Sequence, residues 1–241
     1  AEGLALGDVL PGFLQRHARH GQALQTDERA REVEAVHHLH EALVLVAQAV
    51  GDGHAHVLEK DRATPDGALW TQWLQSNPAS PSGYDTVLAR SRDGGMNWNQ
   101  ITRVNDDGLD VEHGFAALWA AGADRLGIAW LDGRAQAEAH DAGGDGKGHQ
   151  SGGAMQLRAN TFDMSLGRGT DAVLDVRTCD CCQTDVALTS KGPLLAYRDR
   201  ADDEVRDIAV LRLEGGTWSA LKPVHVDGWK TEAFPVNGPA I

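Results

Sequence analysis

Two stretches of the chain repeat each other, and internal repetition constrains architecture before any local reading. Ser91-Arg92-Asp93-Gly94-Gly95-Met96-Asn97-Trp98 is followed at fixed steps by Val104 and Gly108. Glu214-Gly215-Gly216-Thr217-Trp218 is followed at the same two steps by Val224 and Gly228. Each copy reads as a hairpin corner. The alternating runs Thr86–Ala89 and Ile208–Leu211 lead in, an acidic-Gly-Gly turn follows, and a Trp-led run leaves. Gly-Gly supplies the positive-φ residues that tight turns need, and the Asp93 carboxylate is placed to accept turn N–H groups.

The unit extends further. Leu69–Trp73, Leu126–Trp130 and Pro193–Tyr197 read as three equivalent strands that end in an aromatic. The second copy continues as Trp-Leu-Asp-Gly-Arg to Arg134, the third as Tyr-Arg-Asp-Arg to Arg200. A degenerate corner, Leu157–Asp163, falls between them. The aromatics Trp73, Trp130 and Tyr197 recur at roughly sixty-residue steps, a period that suggests the blades of a β-propeller. Tandem hairpins of a sandwich are the alternative. About three blades are visible, an incomplete ring with open sheet edges, so self-association is expected or the natural protein is longer.

Ser91-x-Asp93-x-Gly95-x-x-Trp98 resembles the Asp-box, or BNR repeat, of the sialidase superfamily. The family pattern has Thr or Ser before the Trp, where this chain has Asn97; the second copy lacks one residue and the leading Ser. Residues from about 60 onward also resemble bacterial sialidase-like proteins of unassigned function. The residues that carry this are Thr178–Asp185 and the terminal Pro235-Val236-Asn237-Gly238-Pro239. The resemblance implies a Cys before that Pro; Phe234 stands there. It also implies a six-bladed propeller, a glycan or other small ligand as partner, and a bacterial exported or periplasmic setting. An enzyme of this type would be an exo-α-sialidase-like glycoside hydrolase.

Residues 1–60 have a different character and read as a helical, His-rich extension, with the partial propeller over 61–241. Seven of the eleven His lie in this first segment. A helical pattern runs from Thr26 to Val50, with Leu39, Leu43, Val46 and Val50 on one face. It is either a genuine extension or a mis-framed gene start. His37, His38 and His40 with Glu41 do not form the His-Glu-x-x-His metal motif, and they read as a solvated helix face. The Gly- and Asp-rich stretch Ala139–Gly153 reads as a mobile loop with no calcium-loop spacing.

The net charge of −13 argues against nucleic acid, whose phosphates demand basic patches. It does not exclude an acidic sugar, because local Arg residues bind carboxylates inside acidic proteins. No apolar run is long enough to span a membrane and no signal peptide is visible; a chain starting at Ala1 is processed, trimmed or a fragment.

The repeat aligns candidate site residues. Glu112–Phe115 falls opposite Cys182–Asp185, with Phe234–Asn237 as a third copy. If these begin the innermost strands, Glu112, His113, Cys182, Asp185 and Asn237 converge on one mouth. Sialidase chemistry uses an Arg clamp on the sugar carboxylate, a Tyr nucleophile activated by Glu, and an Asp acid. The resemblance therefore nominates Tyr197, Glu112 and Asp185 as catalytic, and Arg134, Arg198, Arg200, His113 and Asn237 as substrate-binding. The alternative for Arg198-Asp199-Arg200 is a strand-end ion-pair network. The Asp-box residues Ser91, Asp93, Gly95 and Trp98 are expected to be structural.

No cofactor is required by this chemistry. The three Cys, however, all lie within Cys179-x-Cys181-Cys182, so no distant pairing is available. As thiolates they would hold a soft metal ion, with Glu112 and His113 as further ligands if the register is right. A strained vicinal disulfide between Cys181 and Cys182, or plain burial, are the alternatives.

Overall fold

A computed structural model describes residues 57–76, 83–98, 100–141, 153–231 and 235–241. Within these residues the chain is all-β except for one short helix. The first sheet is an antiparallel meander of β1 (Val57–Ala63), β2 (Leu69–Ser76), β3 (Tyr84–Ser91) and β4 (Gln100–Arg103). The second repeats that order with β5 (His113–Ala120), β6 (Leu126–Asp132), β7 (Gln156–Phe162) and β8 (Ala172–Asp175). In the third, β9 (Asp185–Thr189), β10 (Gly192–Arg198) and β11 (Ile208–Glu214) run in sequence. Both β12 (Thr217–Trp218) and β13 (Lys222–Pro223) then pair with β11. None of the three sheets closes on itself. Each is contiguous in sequence, unlike the two sheets of a sandwich, which exchange strands.

The repeat maps onto this topology. Leu69–Trp73, Leu126–Trp130 and Pro193–Tyr197 all lie in the second strand of their sheets. The corners at Ser91, Asp163 and Glu214 each join a third strand to a fourth. At the first, Ser91 Oγ accepts from Gly95 N at 2.9 Å and donates to Asp93 Oδ1 at 2.8 Å. Asp93 Oδ1 also accepts from Asn97 N at 2.9 Å, so Asn97 serves the turn despite departing from the family pattern. Gly94 and Gly95 take φ of 71° and 89°, which a side chain would strain. Trp98 packs under the corner against Trp73, Val87 and Ala89. The degenerate corner works the same way, with Asp163 Oδ1 accepting from Ser165 N and Gly167 N at 2.8 Å each.

The core explains why β6 is buried throughout and apolar up to Asp132. Alternate residues of a strand point to opposite faces. Ile128 and Trp130 join Trp70, Leu88, Leu118 and Phe162 in a cluster shared with the first sheet. Ala129 and Leu131 join Trp119, Leu195, Tyr197 and Leu211 in a cluster shared with the third. β6 is therefore buried on both faces, and a polar residue on either would lose about 1–3 kcal/mol or more if left unpaired.

The first strands run in succession: β1 lies against β5, and β5 against β9. Thr184 Oγ1 donates to Phe115 O at 2.6 Å across the second step. Residues 235–241 come next, with Ile241 N donating to Asp185 Oδ2 at 3.0 Å. Part of the expected loop is different: the helix α1 (Arg134–Asp141) takes up its first residues. The helical reading of residues 26–50 and the loop beyond 141 lie outside the described residues.

Candidate functional site

The loop before β9 is fixed from three sides. Thr178 N and Oγ1 both donate to Met155 O, at 2.8 and 3.1 Å. Cys179 N donates to Arg198 O at 3.1 Å. Gly238 lies so close to the Gln183 backbone that a Cβ there would meet Gln183 O, so residues 235–241 press on the loop from the third side. Inside it the sulfurs of Cys179, Cys181 and Cys182 all lie within 4.8 Å of one another. Cys179 and Cys182 are buried, with Sγ atoms 2.8 Å apart; Cys181 is partly exposed.

Electrostatics separate the three thiols. The Cys182 S–H bonded to it, with help from the Arg206 charge, brings Cys179 down to about 6 against the opposing effect of burial. The same shared bond, then burial, pushes Cys182 up. Burial raises Cys181. Arg206 Nη1 donates to Cys179 Sγ at 3.8 Å, and its Nη2 donates to Glu204 Oε2 at 3.0 Å. Glu204 also accepts from Arg177 at 2.8 Å and from Arg200 at 3.0 Å. Those bonds, Arg200 first, hold the Glu204 carboxyl down at about 2.

The three Arg residues of the expected clamp have separate partners. Arg200 is engaged by Glu204 and by Asp180 at 3.3 Å. Arg198 donates to the backbone oxygens of Arg206 and Asn237 and stacks over Trp229 at 4.8 Å. Arg134 forms a fork with Asp132 at 2.8 Å per bond, in a separate cluster. Within the Arg198-Asp199-Arg200 run, Arg200 forms ion pairs, with Glu204 and Asp180. Asn237 contributes its carbonyl to Arg198, and its side chain is exposed.

Of the nominated catalytic residues, Tyr197 is fully buried and donates to Asp175 Oδ2 at 2.6 Å. Burial first, and then the Asp175 carboxylate, raise the phenol pKa, whereas an attacking Tyr needs the opposite shift. Asp185 Oδ1 accepts from Val186 N at 2.9 Å and lies 3.6 Å from Lys60 Nζ. Glu112 sits at the entry to β5, its backbone bridged to Tyr84 and its carbonyl accepting from Gly133 N.

His113 is buried in the Arg134 cluster. Its Nε2 faces Asp107 Oδ2 at 2.9 Å and Asp132 Oδ1 at 3.8 Å, and its Nδ1 faces Tyr84 O at 3.3 Å. Both ring nitrogens thus meet acceptors, which suits the doubly protonated ring. Burial lowers its pKa, but the Asp107 bond and the Asp132 charge outweigh it and raise the pKa above the ordinary 6.5. Asp107, His113 and Asp132 are close enough to be metal ligands, but the Arg134 guanidinium already supplies the cation there, 3.3 Å from Asp107. His113 is held by Asp107 and Tyr84, and the three sulfurs group without it or Glu112.

A cleft of about 340 Å³ opens beside β3 and β4, lined by Tyr84, Asp85, Ile101, Arg103, Leu109 and Asp110 among others; none of the nominated residues lines it. Asp107, Asp132, Asp175 and Arg206 escaped sequence reasoning. Asp132 had a signal, since it occupies in Trp-Leu-Asp-Gly-Arg the place of Asp199 in Tyr-Arg-Asp-Arg. No helix among the described residues is long and apolar enough to cross a membrane.

No family model matches the chain, and no curated protein matches it. Among solved structures the chain is similar to beta-1,2-mannobiose phosphorylase from Listeria innocua in complex with beta-1,2-mannobiose, at a TM-score of 0.39 and 10% identity. That likeness covers 69% of this chain and 45% of the phosphorylase, so the chain spans less than half of that protein's length. It is a likeness of β-rich shape and carries no chemistry.

Proposed function

We propose that the chain is a run of blades of a sialidase-like β-propeller that holds a soft metal ion on three thiolates and does not hydrolyse sialosides. The contiguous four-strand meanders and the succession β1, β5, β9 support the propeller, because blades follow one another round a channel in that order. The observation that carries the function is the convergence of the three sulfurs to within 4.8 Å. Thiolates select Cu(I) and Zn(II) among common ions. Among the described residues no His or carboxylate joins the three sulfurs, whereas structural Zn(II) takes four protein ligands. A three-sulfur set therefore favours Cu(I). Three thiolates and Cu(I) leave a negative charge, and Arg206, donating to Cys179, lies where it offsets that charge.

Sialidase chemistry lacks support from the same residues. Tyr197 is committed to Asp175, and the three Arg residues have separate partners. The test is titration of the reduced protein with Cu(I) against a chromophoric Cu(I) chelator. One ion per chain is expected, lost in Cys182→Ser. Retention no better than in a variant with all three Cys changed to Ser overturns the metal reading. A fluorogenic sialoside tests the other half, and turnover abolished by Tyr197→Phe overturns it.

A further inference from the structure

We propose that Cys179 and Cys182 form a redox-active dithiol whose closure to a disulfide expels the metal ion, with Cys181 as the point of entry for the oxidant. The regulatory consequence rests on the metal reading above; the dithiol stands on its own geometry.

Of the three pairings that three cysteines allow, geometry favours one and disfavours another. The Sγ atoms of Cys179 and Cys182 are 2.8 Å apart, so a bond of about 2.05 Å needs only a closing movement under ~1 Å. Their Cys-x-x-Cys spacing is one that redox pairs use. The vicinal pair Cys181/Cys182 is disfavoured, because adjacent Cα atoms are about 3.8 Å apart, below the ~4.4 Å at which disulfides begin. The disulfide and the metal site exclude each other. A metal at ~2.3 Å from each sulfur in a trigonal plane holds the sulfurs roughly 4 Å apart, about twice the length of an S–S bond.

Access assigns the third cysteine its part. Cys179 and Cys182 are 0% and 1% exposed, whereas Cys181 is partly open. The oxidant is a small-molecule disulfide, RSSR. The Cys181 thiolate attacks one of its sulfurs and expels RS⁻, leaving a mixed disulfide. Cys179 attacks the Cys181 sulfur and expels the second RS⁻. Cys182 then attacks the Cys179 sulfur and returns the Cys181 thiolate. Two cysteine thiols lose two electrons and two protons in all, and RSSR leaves as two RSH.

The experiment exposes the reduced, metal-free full chain to excess oxidised glutathione and counts thiols by maleimide mass shift after denaturation. A fall from three thiols to one is expected. Cleavage before Asp180, which separates Cys179 from Cys181 and Cys182, followed by fragmentation is expected to place the bond at Cys179–Cys182. Cys181→Ser should still lose both remaining thiols, at least about tenfold more slowly. Retention of three thiols, or a bond to Cys181 at the endpoint, overturns the dithiol; an unchanged rate in Cys181→Ser overturns the entry route. Thiol loss in a protein that fails the Cu(I) titration supports the dithiol and overturns the metal site. Cu(I) binding with three stable thiols does the reverse.

Discussion

The Tyr197 hydroxyl donates to Asp175 Oδ2 at 2.6 Å within the cluster that joins the second and third sheets. Trp130 holds the equivalent place one sheet earlier, and its Nε1 donates to Asp132 Oδ2 at 2.8 Å. In both sheets a carboxylate satisfies the polar tip of a buried aromatic, which otherwise could not be buried cheaply.

Tyr197→Phe removes that donor from the Asp175 carboxylate. A loss of about 1–3 kcal/mol is expected in urea unfolding. A midpoint indistinguishable from wild type would mean that the bond contributes nothing to stability.

The His113 network sets a pH dependence. The His113 pKa is raised above 6.5, so its contribution is complete below that value and is lost as pH climbs through the higher folded pKa. The Asp107 carboxyl is brought down to about 2 from an ordinary 3.8, so its contribution is present above 3.8 and is lost as pH falls toward 2. Thermal melting should be most favourable between roughly pH 4 and 6.5, with His113→Gln losing the alkaline decline. Parallel Tm–pH curves for the two proteins above pH 6.5 would refute this.

Gly127 lies across from Trp119 in the β5–β6 pair, and a Cβ on it would come within 2.0 Å of the indole. Gly127→Ala should therefore destabilise by about 1–3 kcal/mol through overpacking. The near-ultraviolet circular dichroism of the Trp119–Trp218 edge contact, 5.8 Å between centroids, should change with it. An Ala accepted with unchanged melting and spectrum would show that the indole moves aside freely.

Arg206 touches the Cys179 sulfur without being a ligand. Arg206→Ala should weaken Cu(I) affinity by about tenfold or more, the usual effect of removing a group that orients a ligand. Arg206→Lys should recover part of it by restoring charge. Equal affinity in all three proteins would disconnect Arg206 from the site.

Much of the fold was legible because a repeat carries its own alignment. The aromatic-ended strands and the acidic corners fell at equivalent topological positions, since turn chemistry is local and Gly-Gly after an acid leaves few options. The side-by-side placement of residues 112–115 and 182–185 was also legible, and Thr184 to Phe115 joins them. The site was less so. Whether Arg198 and Arg200 face a ligand or a neighbouring acid depends on Glu204, whose φ of 66° turns its carboxylate back onto three guanidinium groups. No local pattern announces that. Likewise His113 could be named, but its partner Asp107, six residues earlier in the loop that leads from β4 into β5, belongs to no motif that marks the pair.

The meander layout has a kinetic corollary. Each sheet's strand pairs are local in sequence, so each can form as its own stretch emerges, before distant chain exists. The thiol loop is different. It needs Met155 and Phe115 from the preceding sheet and the segment around Gly238 at the far end. The three cysteines thus precede the Gly238 segment that presses on their loop, so the loop is completed only after that later stretch has been made.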